Sequence, residues 1–250
     1  MQELSDVQFV AWFAGAVDGG WEPLEGGQWE ADDAWASLVP GAPPMSGLVA
    51  DLASTASAMQ EAVLALAFVP EDEQPSNVIA SHMVMVRSAI ECLATGLWLC
   101  LPKDSEERAK RYLALGYQDV SDLLGTSGGP RSPLPKEGIR LLTEMGVDVE
   151  SRISATQIIR AADIELGTDT LMMWRLYSGV AHGRPWARNV TRTSFPAPES
   201  EGARISQALR VLAPGIELAR SLLEVADLRR RFPHPTALES ERLERLRSAR

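Results

Sequence analysis

The chain has 250 residues, of which 45% are hydrophobic, so it can bury a substantial core and a wholly disordered chain is excluded. Its formal net charge is −10, and thirteen acidic residues precede the first basic one, Arg87. The first third therefore offers no phosphate-binding surface, whereas the segment from Arg87 onward carries a net charge of about +3. No long apolar run or secretory leader is found, which predicts a cytoplasmic protein with no membrane partner.

Two residue types carry further information. Arginine outnumbers lysine 21 to 3, a bias typical of GC-rich bacterial genes such as those of actinobacteria. The two cysteines, Cys92 and Cys100, lie in one predicted helix, where about 12 Å of axial rise separates them and prevents a disulfide. We expect both to be buried, reduced thiols.

The acidic N-terminal segment, residues 1–44, carries the tryptophans Trp12, Trp21, Trp29 and Trp35. A short amphipathic helix is predicted over SDVQFVAWFAGAV, and the glycines and proline that follow predict irregular structure. Large indoles in water are unfavourable. The segment is therefore expected to pack on the rest of the protein, either as a cover or as one wall of a pocket.

Helical patterns dominate the remainder of the chain. Apolar residues three and four apart predict a long helix over 45–69, and the helix predicted over 77–100 is apolar on nearly all sides, which favours a central position. Further helices are predicted over 105–125, 136–145, 155–164, 168–182, 201–231 (kinked or split before Pro214) and the charged C-terminal 233–250. Gly146 and Gly183 are expected to end two of them.

Only residues 189–198, NVTRTSFPAP, are strand-like, and they can equally be a loop. The sequence therefore predicts an all-α fold: a single bundle of about eight helices over 45–232, with residues 1–44 packed on it and a charged helix over 233–250.

Arg87 and Glu91 lie four residues apart in the apolar helix and share a face with Trp98. Burying either charge alone would be very unfavourable. One interpretation is a structural ion pair between helices, which Arg108 or Arg111 could join. The other is a ligand site in which Glu91 orients Arg87 to clamp an anion, with Trp98 beside it. His82 lies about 140° around the helix from Arg87 and is assigned to another surface.

The segment MWRLYSGVAHGRPW holds a second polar set. At 100° per residue, Arg175, Ser178, Gly179 and His182 occupy one narrow helix face, with Arg175 and His182 about 10 Å apart along the axis. Arginine suits phosphate and histidine suits proton transfer near neutral pH, so both are candidate catalytic residues. Ser178 and Tyr177 are candidate ligand-binding residues. Alternatively, His182 only caps the helix by bonding its last carbonyls.

The spacing Arg175-x6-His182 resembles the R-x(4–6)-H motif of the HEPN superfamily. The earlier segments RSAIECLATGLWL and ERAKRY, followed by S-x-x-x-H-G, are also similar to uncharacterised bacterial helical proteins. The resemblance implies a small, commonly dimeric helical bundle and a metal-independent ribonuclease of the toxin type. It also implies that Arg175 and His182 meet at a dimer seam, where arginine stabilises phosphate charge and histidine assists the attack of the ribose hydroxyl.

Three functions remain open from the sequence. The first is this ribonuclease; the second is an enzyme or binder of a small anion, with a pocket between helices 77–100 and 168–182. The third is a non-catalytic interaction module. No phosphate loop, zinc motif or nucleophile elbow is present. We therefore expect no metal and no cofactor. A homodimer or a partner subunit is expected, with RNA or a small anion as ligand and no DNA.

Overall fold

The structure, a computed structural model, describes residues 5–18, 21, 23–70, 73, 78–126 and 136–231. These residues form ten helices and no strand, which confirms the all-α class and exceeds the predicted count of about eight. The helices are α1 (Asp6–Asp18), α2 (Gln28–Ala36), α3 (Met45–Ala67), α4 (Val78–Cys100), α5 (Ser105–Thr126), α6 (Lys136–Met145), α7 (Ala155–Leu166), α8 (Thr170–Ala181), α9 (Pro185–Ser194) and α10 (Glu201–Arg231). The helix predicted at 233–250 lies outside the described residues.

The chain divides into two compact units, where the sequence predicts one bundle. Unit 1 comprises Met1–Gly20, Ala50–Leu97 and Ile158–Leu223, and unit 2 comprises Trp21–Val49, Trp98–Gln157 and Glu224–Arg250. Four of the five boundaries fall inside helices, namely α3, α4, α7 and α10, and the fifth falls between α1 and α2.

The core of unit 1 is built around α4, as its uniformly apolar sequence predicts. Met83, Val86, Ile90, Leu93 and Leu97 on this helix are all fully buried. By length and composition α4 could also cross a bilayer, but more than half of its most apolar stretch is buried inside the protein. Burial of this kind is the usual position of a central helix in a globular unit.

A fully buried ion pair organises unit 2, in which α2 packs on α5. The Arg108 guanidinium makes two bonds to the Asp32 carboxylate, at 2.8 and 2.7 Å, and both side chains are essentially inaccessible. The remaining donors of Arg108 reach Ser105 Oγ and the carbonyls of Pro102 and Lys103. Every N–H of this arginine is satisfied, which makes its burial tolerable.

Two segments are helical where the sequence predicts irregular or strand-like structure. Residues Gln28–Ala36 form α2. Its Trp29 and Trp35 are buried, so these two indoles belong to a packed helix and not to an irregular loop. Residues 189–194 belong to α9, although Val190, Thr191 and Thr193 favour strands. Pro185 begins α9. At the first position of a helix the main-chain N–H has no partner within the helix, so the N–H that proline lacks is not missed there. Tertiary packing overrides the strand propensity of the residues that follow.

Pro214 lies inside one continuous helix, α10, where the sequence predicts a helix that is kinked or split before this proline. Proline removes one main-chain hydrogen bond in a helix interior. In unit 1 the Tyr177 hydroxyl donates to the carbonyl of Val211 at 3.0 Å, three residues before Pro214. The carbonyl that loses its helical donor is that of Arg210, four residues before the proline, so this bond holds the neighbouring residue and does not replace the lost one.

The cysteines are free, as predicted, but differ in burial. Cys100 is fully buried and Cys92 only half-buried, so the expectation of two buried thiols is wrong for Cys92. Burial, reinforced by the Asp32 carboxylate, raises the pKa of Cys100 to about 12. Its thiol is therefore protonated at physiological pH and a poor nucleophile.

Candidate functional site

The candidate site lies on α8 and α9 of unit 1, which form a tight helical hairpin. The carboxylate of Asp163 caps the start of α8 by accepting from the main-chain N–H groups of Thr170 (3.0 Å) and Leu171 (2.8 Å). At the other end, Gly183 adopts φ +65°, and the Arg184 N–H reaches the Gly179 carbonyl at 2.8 Å. Gly183 thus ends α8 as the sequence predicts, because this left-handed conformation favours glycine.

Gly179 allows the two helices of the hairpin to approach closely. A Cβ added at Gly179 would lie 2.6 Å from the Ala187 Cβ and 2.8 Å from the Trp186 ring. Because glycine has no side chain, α9 can pack directly against α8 at this position. Gly179 is therefore a packing residue, and it offers no open space to a ligand.

Arg175 and His182, the candidate catalytic residues, are both exposed on α8. In the described part of the chain, neither side chain forms a hydrogen bond or an ion pair with another residue. His182 does occupy the C-cap, but it caps through its main-chain N–H, which bonds the Ser178 carbonyl at 3.0 Å. Because the two residues are seven positions apart, they lie about two turns apart on one side of α8.

Arg87 and Glu91 form a closed polar cluster that joins α4 to α8 within unit 1. Arg87 donates to Glu91 Oε1 at 2.7 Å and, through Nε, to Ser178 Oγ at 2.8 Å. The Trp174 indole N–H donates to the same Glu91 oxygen at 2.9 Å, and the Arg87 guanidinium lies 5.7 Å from the Trp174 ring centre. These contacts favour the structural interpretation: Arg87 and Glu91 position α8.

Arg108 and Arg111 do not join this cluster, contrary to one sequence expectation. Arg108 is bound to Asp32, while Arg111 contacts Glu107 at 3.3 Å and donates to the Trp98 carbonyl at 2.8 Å. Both arginines lie in unit 2. The partners of each arginine lie within the same unit.

Two other candidate ligand-binding residues have structural roles. Tyr177 is fully buried with its hydroxyl bonded to Val211, so it is not available to a ligand. Trp98 belongs to unit 2, where the Arg111 guanidinium lies 5.1 Å from its ring centre. His82, which the sequence analysis assigned to another surface than that of Arg87, is buried, and burial lowers its pKa to about 4.

The hairpin carries a basic surface that the sequence analysis did not single out. Residues 170–198 contain no acidic residue, in a chain of net charge −10. Arg184, Arg188 and Arg192 are exposed and have no hydrogen-bonding or ion-pair partner among the described residues. Trp186 is 53% exposed beside them. The sequence alone shows 29 consecutive residues without an acidic side chain, but only the folded structure shows that these arginines are exposed.

A groove of about 570 Å³ opens next to this surface. It is bounded by the start of α4, the end of α8, the outer face of α9 and the segment that leads into α10. The helix predicted over 77–100 contributes Val78, Ile79 and Ala80 to this groove, and the helix predicted over 168–182 contributes only Val180. Its cations are Arg188 and Arg192, and none of Arg87, Arg175 or His182 lines it.

No group of three or more His, Cys, Asp or Glu side chains in the described ranges is close enough to hold a metal ion. Comparison with known proteins gives no match to a family model, to a curated protein or to a solved structure.

Proposed function

We propose that the protein binds single-stranded RNA on the part of the basic surface around Arg175, His182 and Arg184, outside the groove, and cleaves it without a metal ion, using Arg175 and His182. The observation that carries this proposal is that both side chains are exposed on one side of α8 and unpartnered among the described residues. The acid-free segment around them supplies the positive charge that a phosphate backbone requires. The exposed Trp186 supplies a surface on which a base can stack.

The chemistry follows from the two side chains. A neutral His182 imidazole takes the proton of the ribose 2′-hydroxyl, and the 2′ oxygen attacks the adjacent phosphorus. The bond from phosphorus to the 5′ oxygen breaks, and the imidazolium returns the proton to that oxygen. Arg175 stabilises the negative charge on the non-bridging phosphate oxygens. The products are a 2′,3′-cyclic phosphate and a 5′-hydroxyl, and DNA is not a substrate because it lacks the attacking hydroxyl.

The proposal includes a homodimer in which the α8 faces of two copies meet. Met172 is 58% exposed, and it lies one turn from Arg175 on the same side of α8. An apolar side chain of this size in water favours burial against a partner. Two copies would then bring the Arg175 and His182 side chains of both chains to one seam, as the resemblance to the HEPN superfamily implies.

The test is cleavage of a labelled, unstructured RNA in the presence of excess chelator. We expect cyclic-phosphate ends, with cleavage slowed about 100-fold or more in His182→Ala. Because His182 is exposed, circular dichroism should show an intact fold in this variant. Arg160→Ala, which removes an exposed arginine on α7, is the matched control and should cleave normally. An absence of cleavage for every RNA offered, or an unchanged rate in His182→Ala, would refute the proposal.

A further inference from the structure

The groove beside α9 in unit 1 has one cationic side and otherwise largely apolar walls. Arg188 and Arg192, one turn apart on α9, are its charged residues, and Thr191 and Gln207 are the other polar ones. None of the described residues that line it carries a carboxylate. The apolar walls come from the first turn of α4, including Val78 and Ile79, and from the segment 195–198 that follows α9.

The wall formed by that segment is held in place by α10. Gln207 Nε2 donates to the Pro196 carbonyl at 2.8 Å, and Arg210 reaches the Ser194 carbonyl at 3.3 Å. The Arg210 guanidinium also lies 5.0 Å from the centre of the Phe195 ring, which is itself almost buried. The groove is therefore formed in the free protein and needs no rearrangement to accept a ligand.

The two arginines are ready to bind an anion. Neither side chain forms an ion pair or hydrogen bond with any residue that the structure describes, and both are exposed. A Cβ added at Gly183 would lie 3.4 Å from Arg188 Nη2, which places this head group against the turn between α8 and α9. Guanidinium groups bind carboxylate and phosphate oxygens in pairs of parallel hydrogen bonds.

We propose that this groove binds a small organic anion with an apolar body, a carboxylate or phosphate monoester on an alkyl or aromatic group. The anionic head contacts Arg188 and Arg192, and the apolar body lies against Val78, Ile79 and the segment 195–198. The volume of about 570 Å³ suits a ligand of this size. The site is separate from Arg175 and His182, so it does not depend on the proposed ribonuclease activity.

Calorimetric titration of the full chain tests this site with four probes below their aggregation concentrations. Decanoate and decyl phosphate carry both features of the ligand, decanol lacks the charge, and inorganic phosphate lacks the apolar body. We expect saturable one-to-one binding of at least one of the two amphiphilic anions, and binding of decanol and phosphate about tenfold weaker or less. The better of the two anions identifies the head group.

Variants assign the binding to the groove. Arg192→Ala should weaken binding about tenfold or more, Arg192→Lys should restore part of it, and Arg160→Ala should leave it unchanged. The titration is repeated with His182→Ala, where we expect the anion to bind with unchanged affinity even if RNA cleavage is lost. The groove proposal and the ribonuclease proposal can therefore be refuted independently. Equal binding of decanol, an unaltered affinity in Arg192→Ala, or displacement of the anion by a short RNA with higher affinity would overturn the proposal.

Discussion

The Nε of Arg87 donates a 2.8 Å hydrogen bond to the hydroxyl of Ser178, and this bond ties the central helix α4 to the helix that carries Arg175 and His182. Ser178 lies between these two residues in the sequence. The arginine that resembles an anion clamp in the sequence therefore orients the candidate site and does not belong to its exposed surface.

Arg87→Ala should destabilise the protein by about 1–3 kcal/mol, because it removes charge-assisted bonds to Ser178 and Glu91. Ser178→Ala should have a smaller effect, about 1 kcal/mol. Urea unfolding of both single variants and the double variant measures the coupling, and we expect the two losses to be clearly non-additive. If the stability losses of the two single variants simply added up in the double variant, the bond between Arg87 and Ser178 would contribute nothing to stability. Arg160→Ala serves as the neutral control.

Gly179→Ala should destabilise the protein by about 1–3 kcal/mol, even though alanine is the better helix former. The new Cβ would meet Ala187 and Trp186 at less than 3 Å, so the α8–α9 hairpin must open. Gly15→Ala on α1 is the matched control, because nothing lies within 4 Å of its Cβ position, and it should gain about 0.5–1 kcal/mol. Thermal unfolding measures the stability of both variants. A change in stability of the same sign in Gly179→Ala and Gly15→Ala would contradict the close packing at Gly179.

Arg108→Met should cost about 3–5 kcal/mol, since it leaves the buried Asp32 carboxylate without its partner. The double variant Arg108→Met with Asp32→Leu should recover much of that loss, because both charges are then removed from the interior. Chemical denaturation of the two proteins provides the measurement. A double variant less stable than Arg108→Met would show that the carboxylate has other essential contacts.

His82 should make folding sensitive to mild acid. Burial lowers its pKa from 6.5 to about 4, so the unfolded chain binds a proton at a pH where the folded protein does not. Stability from this group is complete above pH 6.5 and falls as the pH drops towards 4, by about 2–3 kcal/mol in total. His82→Leu should lose less stability than the wild type between neutral pH and about 4.5 in urea unfolding.

Arg184→Ala should weaken RNA binding mainly through electrostatics. Each phosphate contact on a single strand contributes about 0.7 to the slope of log affinity against log salt. Removing the exposed Arg184 should therefore lower the slope by about that amount, as measured by fluorescence anisotropy at several salt concentrations. Arg160→Ala should leave both affinity and slope unchanged. An unaltered slope in Arg184→Ala would place the RNA elsewhere on the surface.

The sequence by itself determined the helical class, most helix boundaries and the glycines that end α6 and α8, because these depend on local periodicity and main-chain conformation. It also predicted that Arg175 and His182 share one side of a helix, which is a matter of spacing alone.

Only the tertiary structure decided which polar residues are bound and which are free. Tyr177, Arg87 and Arg108 find buried or half-buried partners far away in the chain, whereas Arg188 and Arg192 find none among the described residues and border a groove. It also placed Gln28–Ala36 and residues 189–194 in helices despite their local signals. The physical reason is that burial and hydrogen bonding depend on atoms brought together by folding, and local sequence does not contain those distances.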